Sequence, residues 1–168
     1  MSSTKLSEVG TSPVERGARP RIPRTLIGLC VVLGLLAIGA AQGGVAMIAD
    51  PDTPLGMTAD YLDGTPVTSY LLPGWFLLGI ATASLLTLAG IIFDWRWGWA
   101  AGIERSIGHR WPWLGSILTG GVLLAFEIVE LFTVPFHPVM HPLLIAVSLA
   151  LIGLPSTRSG RAFLRTRR

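Results

Sequence analysis

Cysteine is nearly absent. Cys30 stands alone in 168 residues, which excludes an internal disulfide, a CxxC redox pair and a cysteine-rich zinc site. It lies within an apolar run, where a thiol packs as a small hydrophobe. Charge is scarce as well: 14% of residues are Asp, Glu, Lys or Arg and 51% are hydrophobic, whereas soluble domains carry about 25% charge. That deficit argues against a soluble domain and for an integral membrane protein with a single domain. No Walker or Rossmann glycine motif, Cys-His haem motif or G-x-S-x-G elbow is present, so no catalytic residue and no cofactor is named. Gly43-Gly44 sits in an apolar run without the lysine and strand of a phosphate loop, and reads as a packing pair.

What the chain does have is long apolar runs. A bilayer core needs about 20 apolar residues in helical form. Segments 25–49 and 72–93 carry no charge, and 112–133 carries only Glu127 and Glu130. A fourth, shorter segment covers about 141–154, with Pro142 suited to its first turn and Pro135 and Pro138 in the turn before it. The first run is too long for the apolar core of a signal peptide, about 7–15 residues, and no A-x-A site closes it. It is therefore expected to be a retained membrane helix. The expected organisation is a disordered basic segment 1–24, a transmembrane domain 25–155 and a basic tail 156–168. The expected fold class is all-α, a polytopic membrane four-helix bundle with a structured loop between the first two helices.

Lys and Arg number 13 against 10 Asp and Glu, and their placement speaks for membrane orientation rather than nucleic acid. Lys5, Arg16, Arg19, Arg21 and Arg24 precede the first run, Arg96, Arg105 and Arg110 lie between the second and third, and Arg158, Arg161, Arg165, Arg167 and Arg168 follow the fourth. None lies in the first or third loop. The positive-inside rule then predicts a multi-pass membrane protein with both termini cytoplasmic. Trp95, Trp97, Trp99, Trp111 and Trp113 fall at the inner face, and Tyr61, Tyr70 and Trp75 at the outer one, as interfacial aromatics do. The Trp- and Arg-rich second loop is placed to anchor at anionic headgroups.

Small residues spaced four apart suggest contact lines: Gly39 and Gly43 with Ala40 and Gly44, Gly79 and Ala83, Ser116 and Gly120. Ser116, Gly120, Leu123, Glu127 and Glu130 form one stripe of the third helix, so the face that admits a neighbour also carries both carboxylates. They are expected to face the interior, within reach of groups such as Gln42. His137 and His141 follow in the outer turn, and loop one adds Asp50, Asp52, Asp60 and Asp63 on the same side of the membrane. Glu127, Glu130, His137 and His141 are the candidate metal ligands, since carboxylate and imidazole bind zinc-like ions. The pattern matches neither HExxH nor the ExxH of di-iron bundles, and the proline turn prevents one helix from presenting all four. As structural alternatives, the glutamates serve as polar glue, His141 caps the last helix and His137 faces water.

In loop one, Thr58 is expected to cap a short helix through Leu62, ended by Asp63-Gly64, and folded over the bundle mouth. Asp50-Pro51, "LGM" from Leu55, "LDGTP" from Leu62, "YLLPG" from Tyr70 and the "HP" that opens the last helix resemble a family of small, uncharacterised bacterial four-helix membrane proteins. The resemblance covers most of residues 25–155 and implies a four-helix topology with a structured outer loop. It implies no activity and transfers no functional residue.

Three functions stand in order. The first is a non-enzymatic accessory or scaffold protein packing with the lipid bilayer, a membrane-protein partner or further copies of itself. The second is divalent-ion or proton binding or transport through the Glu/His cluster. The third is a membrane enzyme acting on a lipid-soluble substrate.

Overall fold

Leu, Gly, Ala and Ile make up most of the apolar runs, and a helix pairs the backbone N–H and C=O groups within such a run. The computed structural model describes residues 23–58, 62–63, 67–98, 100–133 and 137–165, with Thr133 described for its backbone alone. The described residues are all-helical apart from turns and one isolated bridge between His109 and Arg165. The helices are α1 (Arg24–Ala49), α2 (Leu71–Ile92), α3 (Ala100–Ile107), α4 (Trp111–Thr133), α5 (Met140–Ser156) and α6 (Arg158–Phe163). A 3-10 turn spans Pro54–Gly56. Pro73, Pro112 and Pro142 each fall in a first helical turn, where a missing N–H breaks no bond.

Helices α1 and α2, together with Trp111–Phe132 of α4, are long and apolar enough to cross a membrane, and α5 is a shorter apolar helix. The three long helices overlie the long apolar runs of the sequence, and α5 overlies the shorter one. The segment expected to be disordered, 1–24, lies outside the described residues up to position 22.

Glycine decides how closely the helices approach. Helix α2 returns antiparallel along α1, and the two are nearest where a Cβ on Gly44 would stand 2.8 Å from the Gly74 carbonyl oxygen. Helices α4 and α5 meet in the same way: a Cβ on Gly120 would lie 2.8 Å from both Leu151 Cβ and the Ser148 carbonyl oxygen. The Ser116 hydroxyl donates to the Leu151 carbonyl at 2.8 Å across that contact. Between α2 and α4, the Trp111 ring occupies the space beside Gly90, and Phe76 stacks on Phe126 with centroids 4.4 Å apart. Leu29, Leu33, Leu123 and Leu151 are fully buried in the core these helices share. Two expected contact positions are corrected. Nothing lies within 4 Å of a Cβ on Gly39 or Gly79, because both occupy faces turned away from the core.

The connection from α2 to α4 folds back on the start of α4. Trp111 Nε1 donates to the Trp95 carbonyl at 2.7 Å, Trp97 stacks on the Trp111 ring, and Arg110 pairs with Asp94. Glu104, from α3, accepts the Trp111 backbone N–H at 2.8 Å, filling one of the open positions at the α4 N-terminus. The tail returns to the same place, with the Arg110 N–H donating to the Leu164 carbonyl at 2.8 Å.

At the opposite end, Asp50 accepts hydrogen bonds from the Thr53 backbone N–H at 3.1 Å and its hydroxyl at 2.9 Å. These bonds favour the ionised form and hold the Asp50 carboxyl below its ordinary value. Tyr70 ties the loop down, its N–H donating to the Pro51 carbonyl and its hydroxyl to the Thr58 carbonyl, each at 3.0 Å. The short helix expected from Thr58 to Leu62, closed by Asp63-Gly64, falls largely outside the described residues.

Candidate functional site

The stripe on α4 determines what meets its two glutamates. Ser116, Gly120 and Leu123 are buried against α5, and the same face continues through Glu127 to Glu130 one turn later. Glu127 is 0% exposed and Glu130 is half-buried. Because α5 runs antiparallel to α4 at glycine distance, its first turn arrives beside the last turns of α4. His141 is thereby placed on the buried face of α5, at 4% exposure, in line with Ser148, Leu151 and Pro155.

Two residues fourteen apart in sequence thus come into contact, with His141 Nδ1 lying 3.2 Å from Glu127 Oε2. The other carboxylate oxygen, Glu127 Oε1, is buried and has no hydrogen-bond partner among the described residues. Glu130 completes the group: one ligating atom each from Glu127, Glu130 and His141 lie within 4.8 Å of one another. A buried carboxylate oxygen with no partner carries a desolvation penalty of about 1–3 kcal/mol or more. A donor or a cation at that oxygen removes the penalty.

Of the four residues named from sequence, three converge and one does not. His137 is exposed, and its Nδ1 accepts the backbone N–H groups of Val139 at 3.4 Å and Met140 at 3.3 Å. His137 thus stands apart from the other candidate ligands, exposed and serving the start of α5, and His141 turns inward instead of capping that helix. The proline turn does prevent one helix from presenting both glutamates and His141, but α5 folds back and delivers the imidazole from the opposite helix. The loop aspartates within the described residues, Asp50, Asp52 and Asp63, do not belong to the group, and Asp60 lies outside those residues. Gln42 is exposed on α1, and no hydrogen bond joins it to either glutamate.

Two carboxylates and one imidazole form a hard-to-borderline donor set, suited to Zn²⁺ and its first-row neighbours. With both carboxylates ionised and the imidazole neutral the donors carry two negative charges, which a divalent cation neutralises. Three protein donors leave a tetrahedral ion one position open to water or another ligand. On the same helix Leu123 is buried, whereas Ile128, Val129 and Phe132 are exposed on its outward faces.

Comparison with known proteins adds no relative: no family model, no curated protein and no solved structure matches the chain.

Proposed function

We propose that the chain is a transmembrane four-helix bundle that binds one divalent transition-metal cation near its outer end through Glu127, Glu130 and His141. The observation that carries this reading is the fully buried Glu127 carboxylate, with one oxygen on His141 and the other without a partner, beside a second carboxylate. In this reading α1, α2, α4 and α5 cross the inner membrane, and both termini and the α2–α4 connection are cytoplasmic. The arginines of that connection and of the tail support the orientation, since they gather at the end of the helices opposite Glu127. Helix α4 then runs outward, and Glu127 lies about 9 Å short of its last residue, at 1.5 Å per residue. Ionisable groups at such depth are costly and are kept where they bind or relay something.

The test is the metal content of protein purified in detergent without chelators. The parent is expected to carry about one equivalent of zinc or a neighbouring metal, as a single site of this donor set requires. Glu127→Gln, with its helical circular dichroism intact, is expected to carry almost none. A metal-free parent that also fails to take up added Zn²⁺ would refute the reading.

One observation favours a second reading. The His141–Glu127 hydrogen bond at 3.2 Å already joins α4 to α5, as polar glue does in membrane bundles. This is the accessory or scaffold protein, in which the group holds the bundle in shape for a membrane partner. There Glu127→Gln lowers thermal stability by a similar amount whether or not metal is supplied.

A further inference from the structure

Among the described exposed residues of α1, α2 and α4, the side chains with a hydrogen-bonding group are Arg24 and Trp75 near helix ends, Thr82 and Gln42. Thr82 needs nothing from outside, because its hydroxyl donates to the Leu78 carbonyl of its own helix at 2.8 Å. Gln42 differs: among the described residues its amide has no hydrogen-bond partner. It sits seven residues before the end of α1, about 10 Å inside the helix terminus. In a spanning helix that depth is hydrocarbon, where an unpaired amide costs several kcal/mol.

The surroundings of Gln42 show what can meet it. Val31, Leu35, Ile38, Gln42, Val45 and Ala49 are all exposed and follow one another at spacings of four, three, four, three and four. This is a heptad seam on the face of α1 opposite the buried Leu29, Leu33, Leu36 and Ala40. Gly39 adjoins the seam and has open space where a side chain would stand, so a second helix can approach closely beside the amide.

We infer that two copies of this chain associate in the membrane through α1, with the Gln42 amides hydrogen-bonded to each other across the two-fold axis. Copies inserted with the same orientation present the same seam at the same depth, and a two-fold axis along the membrane normal sets Gln42 opposite Gln42. A primary amide is both donor and acceptor, so two of them pair with both N–H···O bonds satisfied. A single polar residue in an apolar seam also fixes the register, since sliding by one turn would leave both amides unpaired.

The test uses the full chain, singly labelled and reconstituted at high dilution in phospholipid vesicles, with subunits counted by photobleaching. The parent is expected to bleach in two steps, and Gln42→Leu to raise the dissociation constant by about 3- to 30-fold, the range given by interhelical hydrogen bonds in membranes. Gln42→Asn, which keeps the amide, is expected to retain dimerisation. In a Cys30→Ala background, single cysteines at Ile38 and Val45 are expected to cross-link between copies, and one at the equally outward Leu149 is not. Single-step bleaching of the parent would overturn the inference. So would a dimer indifferent to Gln42→Leu, or a monomer with a different protein bound along the α1 seam. Leucine at an outward position leaves the bundle interior untouched, so helical content and melting serve as the folding control.

Discussion

Gly120 has no side chain, and that absence allows His141 to reach Glu127. A methyl group there would lie 2.8 Å from Leu151 Cβ and from the Ser148 carbonyl oxygen, so α5 would have to retreat. Gly120→Ala is therefore expected to lower stability by about 1–3 kcal/mol, the usual cost of overpacking, measured by reversible unfolding in mixed micelles. Gly39→Ala, with open space around it, is the internal control and should leave monomer stability nearly unchanged. At the other extreme of exposure, Asp50 gives a pH-dependent prediction. Its folded pKa is depressed by Thr53, so its stabilising contribution is present above the unfolded value of about 3.9 and disappears as pH falls through the lower folded value. Thr53→Ala should move the Asp50 carboxyl back toward that unfolded value in an NMR titration. An unmoved titration would show that the Thr53 bonds do not hold the loop.

At the scale of the element, the stripe on α4 was legible from sequence: Ser116, Gly120, Leu123 and Glu127 follow helical spacing, and their burial agrees with it. Its partner, His141, was named with the two glutamates as a candidate ligand, with capping of the last helix as the structural alternative. His141 precedes a proline, and that local context suggested a cap. What overrides it is the heptad-like order of His141, Ser148, Leu151 and Pro155 on α5, which places the imidazole on the face turned toward α4. The same spacing was present in the sequence and carries the signal. Small-residue spacing was a poorer guide, because it describes a helix face without saying whether a neighbour lies there. It applied to Gly44 and Gly120 and failed for Gly39 and Gly79. The link from Glu104 to the Trp111 backbone spans seven residues and a turn, and no local pattern announces it. Helix α6 likewise depends on a small local bond, the Gly160 N–H to the Thr157 hydroxyl at 3.1 Å. Thr157→Ala should fray it, with a loss of about 0.5–2 kcal/mol as for other N-cap removals, visible as faster amide exchange at Gly160.

For the whole molecule, the arrangement of charge and apolar length makes a claim about sidedness. The Glu/His group and the arginine-rich connection lie at opposite ends of the same helices. In a Cys30→Ala background, single cysteines at Asp52 and Arg105 should react with an impermeant maleimide from opposite sides of an intact membrane, Asp52 from outside. Labelling of both from one side would overturn the four crossings. In the proposed orientation the site would exchange metal with the space beyond the cytoplasm, which bears on the proposed role in uptake, buffering or export.

The most direct test of the central claim is X-ray absorption at the zinc edge on zinc-loaded protein. The account predicts a shell of nitrogen and oxygen at about 2.0–2.2 Å with the outer-shell scattering of one imidazole, and loss of that imidazole signal in His141→Ala. A shell of oxygen alone in the parent, or an imidazole signal that survives His141→Ala, would contradict it.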